Sequence, residues 1–348
     1  MTWPNRVMVC SNNRRRLKRL DEYWYQRNLL SLILLPVSWL FRLLVRLRRY
    51  LYAVGLLNST RLPIPVIIVG NITVGGSGKT PLVIALIDML RQAGYHPGVI
   101  SRGYGGKAKT WPQQVRPDSD PSMVGDEPVL IAQSCKVPLA VGPDRVFAAQ
   151  QLLQYNDCDV IISDDGLQHY SLKRDIEIVV VDGVRRFGNG YCLPAGPLRE
   201  PPSRLTSVDF VVTNGLAMRM EYPMELVAKN VLNLATGETR LLSSFAGQTV
   251  HTVAAIGNPD RFFNLLKKNG VDVIPHPFID HYSFSKEDLE FEDGSTVFMT
   301  QKDAVKCMQY ATENMWIVPV SAKLDERLVI RLLGMLKKLY DQNHQGEH

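Results

Sequence analysis

Cysteine is scarce in this chain. Cys10, Cys135, Cys158, Cys192 and Cys307 are scattered over 348 residues, with neither metal-ligand spacing nor the paired rhythm of a disulfide framework. A stapled secreted scaffold is thereby excluded, and free thiols in a reducing compartment, the cytosol by default, are expected. No internal repeat or low-complexity tract occurs, and 45% apolar composition excludes a disordered chain. Acidic residues are nearly missing from residues 1–57, which hold 11 Lys/Arg against 2 Asp/Glu. The net charge of +6 therefore sits in this block, and the remainder, with 29 basic and 32 acidic residues, is slightly acidic. A globular body of that sign argues against a nucleic-acid partner.

A long apolar run is also lacking. The uncharged stretch from Asn28 to Phe41 would reach about 21 Å as a helix, short of the ~30 Å hydrocarbon core. A full span is not expected, and no small-residue cleavage site of a secretory signal follows Phe41. Further on, Leu40, Leu44, Leu47 and Leu51 share one helical face and Arg42, Arg46 and Arg49 the opposite one. That pattern predicts an amphipathic helix lying at a membrane interface, with its basic residues favouring an anionic leaflet. The competing expectation is that the stripe packs on the protein's own body.

After Pro63 and Pro65, Val66 to Val69 reads as a buried strand entering a glycine-rich loop, and a helix begins at Thr80-Pro81 and stops near Gly94. Apolar runs at Gly98–Ser101, Val137–Val141, Val160–Ser163, Ile176–Val181 and Val208–Thr213 predict further strands of a parallel sheet. The second half alternates less clearly, through Val250–Ile256, a helix near Asp260–Asn269, Thr296–Thr300, Trp316–Val320 and a terminal helix over Leu324–Tyr340. The expected architecture is α/β: a basic, amphipathic segment over 1–57, a nucleotide-binding lobe over 58–230, and a smaller α/β lobe over 231–348.

The loop Thr73-Val74-Gly75-Gly76-Ser77-Gly78-Lys79-Thr80 fits G-x-x-x-x-G-K-[ST] except at Thr73. Glycines allow successive backbone N–H groups to point into one concavity, Lys79 reaches the β- and γ-phosphates, and the Thr80 hydroxyl ligates Mg²⁺. The following helix adds its positive N-terminal dipole. Downstream, a strand ends in Ser163-Asp164-Asp165, where an enzyme with such a loop places the acid that serves magnesium. Gly125-Asp126-Glu127-Pro128 brings two more acids, though on local grounds these could merely start a helix. Asp280-His281-Tyr282 holds a histidine that, taken alone, is more often structural than catalytic.

In this order these segments closely resemble the tetraacyldisaccharide 4′-kinase family, the lipid A 4′-kinases of Gram-negative envelope synthesis. The resemblance rests on Gly70 to Pro81, including Thr73, with Ser101-Arg102-Gly103-Tyr104-Gly105, Val124 to Pro128 and Ser163 to His169. It continues through Leu193 to Pro201, Ile256-Gly257-Asn258-Pro259, Asp280 to Tyr282, and Lys302-Asp303-Ala304-Val305-Lys306. Gln301 departs from it, since a glutamate is expected there.

The resemblance implies a P-loop NTPase-like sheet with a second lobe and a membrane-associating N-terminal helix. It implies transfer of the ATP γ-phosphoryl to the 4′-hydroxyl of an acylated glucosamine disaccharide 1-phosphate at the cytoplasmic face of the inner membrane, the protein being peripheral or monotopic, with no obligate protein partner. It further implies Asp126 as the base facing the sugar hydroxyl and His281 as the group that orients it. Lys79 with Arg102 or Arg199 would offset phosphoryl charge, and Thr80, Asp164, Asp165 and Glu127 would serve Mg²⁺. The rival expectation is a membrane-peripheral GTPase switch, suggested by Ser321-Ala322-Lys323, although no N/T-K-x-D motif precedes it.

Overall fold

A computed structural model of the chain describes residues 23–345. The basic run Arg14–Arg19 lies outside the described residues.

Two helices lead, α1 (Leu29–Ile33) and α2 (Leu35–Ala53), followed by β1 (Val66–Gly70), α3 (Lys79–Gln92), β2 (Pro97–Ser101) and β3 (Gln113–Gln114). Next come α4 (Pro121–Val124), α5 (Asp126–Cys135), β4 (Leu139–Val141), α6 (Arg145–Tyr155), β5 (Val160–Asp164), β6 (Ile176–Asp182), β7 (Phe210–Asn214) and β8 (Tyr222–Val227). The chain then builds β9 (Asn230–Asn233), β10 (Thr239–Leu241), β11 (Thr249–Ala254), α7 (Pro259–Lys268), β12 (Asp272–Pro277), β13 (Val297–Thr300), α8 (Gln301–Cys307) and β14 (Met315–Val318). It closes with β15 (Ser321–Leu324) and α9 (Glu326–Gln345).

Among the described residues these strands form a nine-stranded sheet, order β15-β8-β7-β6-β1-β5-β2-β4-β3, and a six-stranded sheet, order β10-β9-β14-β13-β11-β12. The larger sheet is parallel from β8 to β4, with β15 and β3 antiparallel at its edges. Its inner strands β1, β2, β5 and β6 are buried at every position, as strands covered on both faces must be. That double burial is why their sequences run apolar instead of alternating. β2, β4 and β5 lie to one side of β1 and β6 to β8 to the other, so the chain changes direction at β1. Ligand crevices in such sheets open beyond the strand C-termini at this point.

From the sequence, 231–348 is expected to be one C-terminal lobe; residues 321–345 correct this. β15 pairs with β8 in the larger sheet, and Leu328, Leu332 and Leu336 of α9 are fully buried in the same core as Leu82, Leu86 and Leu90 of α3. The i, i+4, i+8 spacing places the three leucines on one face of α9, and each contributes about 1.5–3 kcal/mol by burial. The physical reason is an unpaired sheet edge beside β8 that a nearby strand can satisfy, something no local pattern signals.

α2 rests on the larger lobe mainly through a face between the two stripes, and Arg49 of the arginine stripe adds a bond from its Nη2 to the Ser207 hydroxyl at 2.8 Å. The Ser38 hydroxyl donates to the Cys192 carbonyl at 2.7 Å, and Phe41 packs on the core cluster beneath. Leu40, Leu44 and Leu47 stay 56%, 55% and 49% exposed, so this part of the stripe does not pack on the protein's own body, while Leu51 is half-buried.

Candidate functional site

The glycine-rich loop joins β1 to α3. Gly78 caps α3 with φ +101°, a left-handed conformation that glycine adopts without penalty. A Cβ there would also meet Asn214 Nδ2 at 2.5 Å; that amide instead donates to the Ser77 carbonyl at 3.1 Å and pins the loop to the end of β7. From the other side, Val74 N donates to the Pro197 carbonyl (2.8 Å) and Arg199 N to the Ile72 carbonyl (2.7 Å). This pairing delivers Arg199 to the site, where its Nη1 lies 3.1 Å from Asp165 Oδ1.

Lys79 Nζ stands 3.4 Å from the same oxygen. Burial pushes the Asp165 carboxyl up, but Lys79 and Arg199 outweigh it and hold it down at about 2. Its neighbour behaves oppositely. Asp164, at the end of β5, is fully buried, and among the described residues neither carboxylate oxygen accepts a hydrogen bond. Burial, reinforced by the charges of Glu127 and Asp165, pushes Asp164 up to about 7. Adjacent carboxylates thus sit in divergent environments: one is paired with two cations of the protein, the other has no hydrogen-bond partner among the described residues.

Asp126 and Glu127 form the first turn of α5, entered through Gly125 at φ +97°, where carboxylates complement the helix dipole. The smaller lobe faces them with His281 and α8. His281 Nδ1 lies 3.2 Å from Asp126 Oδ2, on a backbone held at φ +61°, where non-glycine residues store strain. The sequence does not single out Lys302, yet its Nζ lies 3.1 Å from Glu127 Oε1, 3.3 Å from Asp280 Oδ1 and 3.3 Å from His281 Nε2. Burial would lower this ammonium, but Glu127 and Asp280 hold it above its ordinary range. Burial likewise pushes Glu127 up, and Lys302 with Lys79 overrides that and holds it below its usual value. An ammonium has only donors to offer Nε2, so a neutral His281 carries its proton on Nδ1, directed at Asp126.

Between these clusters runs a cleft of about 1220 Å³ lined by Gly76 to Pro81, Glu127, Asn214, Gly257, Arg261 and Lys302, with apolar walls that include Leu216, Met224 and Phe262. Asp126 and His281 stand outside its lining, at the seam of the lobes. Ser321-Ala322-Lys323, expected as a guanine-reading loop if the chain were a switch, instead form the edge strand β15.

Fold and site together describe a mixed α/β enzyme of the phosphate-handling class, with lysine, arginine and carboxylate side chains gathered at a glycine-rich loop. The chain belongs to the tetraacyldisaccharide-1-P 4′-kinase family, whose pattern matches residues 30–337. It is 53% identical over 316 residues to the tetraacyldisaccharide 4′-kinase of Nitrosococcus oceani, covering 91% of this chain and 94% of that one. It is 51% identical over 326 residues to that of Methylobacillus flagellatus, covering 93% and 97%. Among solved structures, LpxK from Aquifex aeolicus in complex with ATP superposes with a TM-score of 0.74 at 30% identity, over 88% of this chain and 99% of that one. The GTPase alternative is not supported by any of these relatives.

Proposed function

We propose that this protein transfers the γ-phosphoryl group of ATP to the 4′-hydroxyl of a tetraacyl glucosamine disaccharide 1-phosphate, forming the lipid IVA precursor. The family supports this reading, and the observation that carries it is the seam. Lys79 and the glycine-rich loop, suited to a nucleoside triphosphate, lie on the same cleft as Glu127 and Lys302, one residue from the Asp126–His281 pair.

Thr73 to Thr80 act as a phosphate loop whose N–H groups and Lys79 cradle the triphosphate. The buried, unpartnered oxygens of Asp164 and the hydroxyl of Thr80 are hard oxygen donors suited to Mg²⁺, and Glu127 adds a nearby carboxylate. Among the described residues no set of three His, Cys, Asp or Glu side chains closes into a metal cage, so phosphate oxygens and waters would complete the shell. When bound, the ion neutralises charge on the β- and γ-phosphates. Asp165, held by Lys79 and Arg199, instead fixes the two cations that face the phosphoryl oxygens.

The acceptor oxygen bonds to the γ-phosphorus, the bond to the β-bridging oxygen breaks, and ADP departs. Asp126 accepts the hydrogen bond of the acceptor hydroxyl and takes its proton; His281 Nδ1–H, 3.2 Å from Asp126 Oδ2, holds that carboxylate aimed. In a loose transition state early proton removal contributes little, so positioning and charge offset dominate. The exposed row of Leu40, Leu44 and Leu47 beside exposed Arg42 and Arg46 supports peripheral binding to an anionic leaflet, where a lipid acceptor resides. No helix among the described residues is long and apolar enough to cross a membrane.

The reading is tested by following phosphate release and acceptor labelling from ATP and from GTP, with and without the acylated disaccharide. ATP consumption should depend on the acceptor; GTP hydrolysis with no labelled acceptor would defeat the kinase reading.

A further inference from the structure

Away from Asp126 and His281, the lobes meet at a second place. Asp182, the buried last residue of β6, accepts from Val184 N at 2.9 Å and Arg185 N at 3.1 Å through Oδ1, which fixes its rotamer. Its Oδ2 then reaches across the seam, accepting from Asn258 Nδ2 at 3.1 Å and pairing with Arg261 Nη2 at 2.5 Å. Arg261 lies in the first turn of α7 and Asn258 caps it. Arg185 adds a bond of its own, its Nη1 donating to the Gly257 carbonyl, while its guanidinium lies 5.2 Å from the centre of the Tyr25 ring. At this point the two backbones nearly touch: a Cβ on Gly257 would stand 2.2 Å from Gly76 N. The turn Ile256-Gly257-Asn258 and the glycine-rich loop are thus held face to face by a carboxylate from one lobe and a guanidinium from the other.

We infer that Asp182 and Arg261 form a positioning clasp, which sets the smaller lobe against the glycine-rich loop at the orientation that brings His281 to Asp126. The inference rests on the kinase reading. Neither clasp residue needs to touch the acceptor. α7 follows directly on β11, and His281 is tied to the end of the same strand through its N–H to the Ala255 carbonyl, 3.3 Å, so a tilt of α7 displaces His281. An ion pair this enclosed, once broken, leaves a buried charge uncompensated, and a loss of alignment of about 1 Å at a reacting group costs on the order of 10²-fold in rate.

The test is a double-mutant cycle in the full-length protein. Arg261→Ala should lower kcat about 10- to 100-fold while changing KM for ATP less than about threefold, and Arg261→Lys should recover part of the loss. In a His281→Ala background the same Arg261→Ala change should cost less than about threefold more, because the group it positions is already gone. A full, independent loss in that background, or a loss borne by KM for ATP alone, overturns the clasp. Hydrogen exchange gives a reading that does not need turnover. Arg261→Ala should raise exchange in both 73–80 and 256–262, and a rise confined to 259–268 overturns the inference. A wild-type protein that labels no acceptor defeats the kinase reading instead, and leaves the exchange result to judge the clasp.

Discussion

His281 Nδ1 and Asp126 Oδ2 stand 3.2 Å apart across 155 residues of chain, each carried by a different lobe. Neither lobe holds this pair by itself, so the contact exists only where the lobes are apposed. Asp126→Asn and His281→Ala should each lower kcat by about 10²- to 10⁴-fold, the range typical for removing a group that assists proton transfer and aligns the acceptor. The dissociation constant for ATP, measured by calorimetry, should change little, since neither side chain lines the cleft that holds Gly76 to Thr80. Near-normal turnover in either variant would remove that residue from the mechanism.

Lys302 is the cation that three groups share. Lys302→Met should leave the partly buried carboxylate of Glu127 without its partner, raise the Glu127 pKa, and destabilise the protein by about 1–3 kcal/mol. Chemical denaturation reads the stability and steady-state kinetics the turnover. Unchanged values in both would mean that its contacts with Glu127, Asp280 and His281 contribute nothing.

The adjacent carboxylates Asp164 and Asp165 titrate in opposite senses. Asp164 is raised to about 7 in the folded protein, above an unfolded value of about 3.9. The folded state therefore holds its proton longer, and the stability this group contributes falls as pH rises from about 4 to 7. Asp165 is lowered to about 2, so its contribution is present above about 4 and lost as pH falls towards 2. If Asp164 holds Mg²⁺ in its ionised form, as proposed, stabilisation by Mg²⁺ and ATP should grow between pH 6 and 8 with uptake of the ion displacing about one proton. Thermal unfolding of the wild type and Asp164→Asn checks this: the variant should show no such growth, and an equal pH dependence in both would exclude Asp164.

The exposed leucine stripe predicts a membrane effect separable from folding. Replacing Leu40, Leu44 and Leu47 together by Ser should weaken binding to anionic vesicles by about 50- to 10³-fold, given about 1.5–3 kcal/mol per fully buried leucine and their half-exposed start. Thermal stability should hardly move, because these side chains touch no core. Arg42→Gln with Arg46→Gln should reduce binding by about 1 kcal/mol per charge and blunt its salt dependence. Vesicle sedimentation unaffected by the leucine changes would place the contact elsewhere on the chain.

What the sequence makes legible follows the range of the interactions involved. The loop from Thr73 to Thr80 and the strand that ends in Asp164-Asp165 are local, and composition with spacing reveals them. Asp126 and His281 are separately ambiguous, one a plausible helix start and the other an isolated histidine; only the family resemblance pairs them. Lys302 lies in a recognised segment, but its partners Glu127 and Asp280 come from distant positions. The Asp182–Arg261 contact is silent for the same reason, since a carboxylate at a strand end and an arginine in a helix's first turn are common. β15 is short and half-exposed, and its place in the larger sheet is decided by the open edge of β8, not by its own residues. The leucine stripe of α2 is plain in the sequence, whereas its exposure depends on Ser38 and Phe41 taking the contact face.

The transfer itself is the most direct test. Purified protein should be incubated with Mg²⁺, γ-labelled ATP and the tetraacyl disaccharide 1-phosphate in mixed micelles, and the lipid product fragmented by mass spectrometry. One added phosphate is expected, on the 4′-oxygen of the sugar remote from the 1-phosphate, with loss of this product in Asp126→Asn. Label recovered only as free phosphate, or attached at another position of the disaccharide, would contradict it.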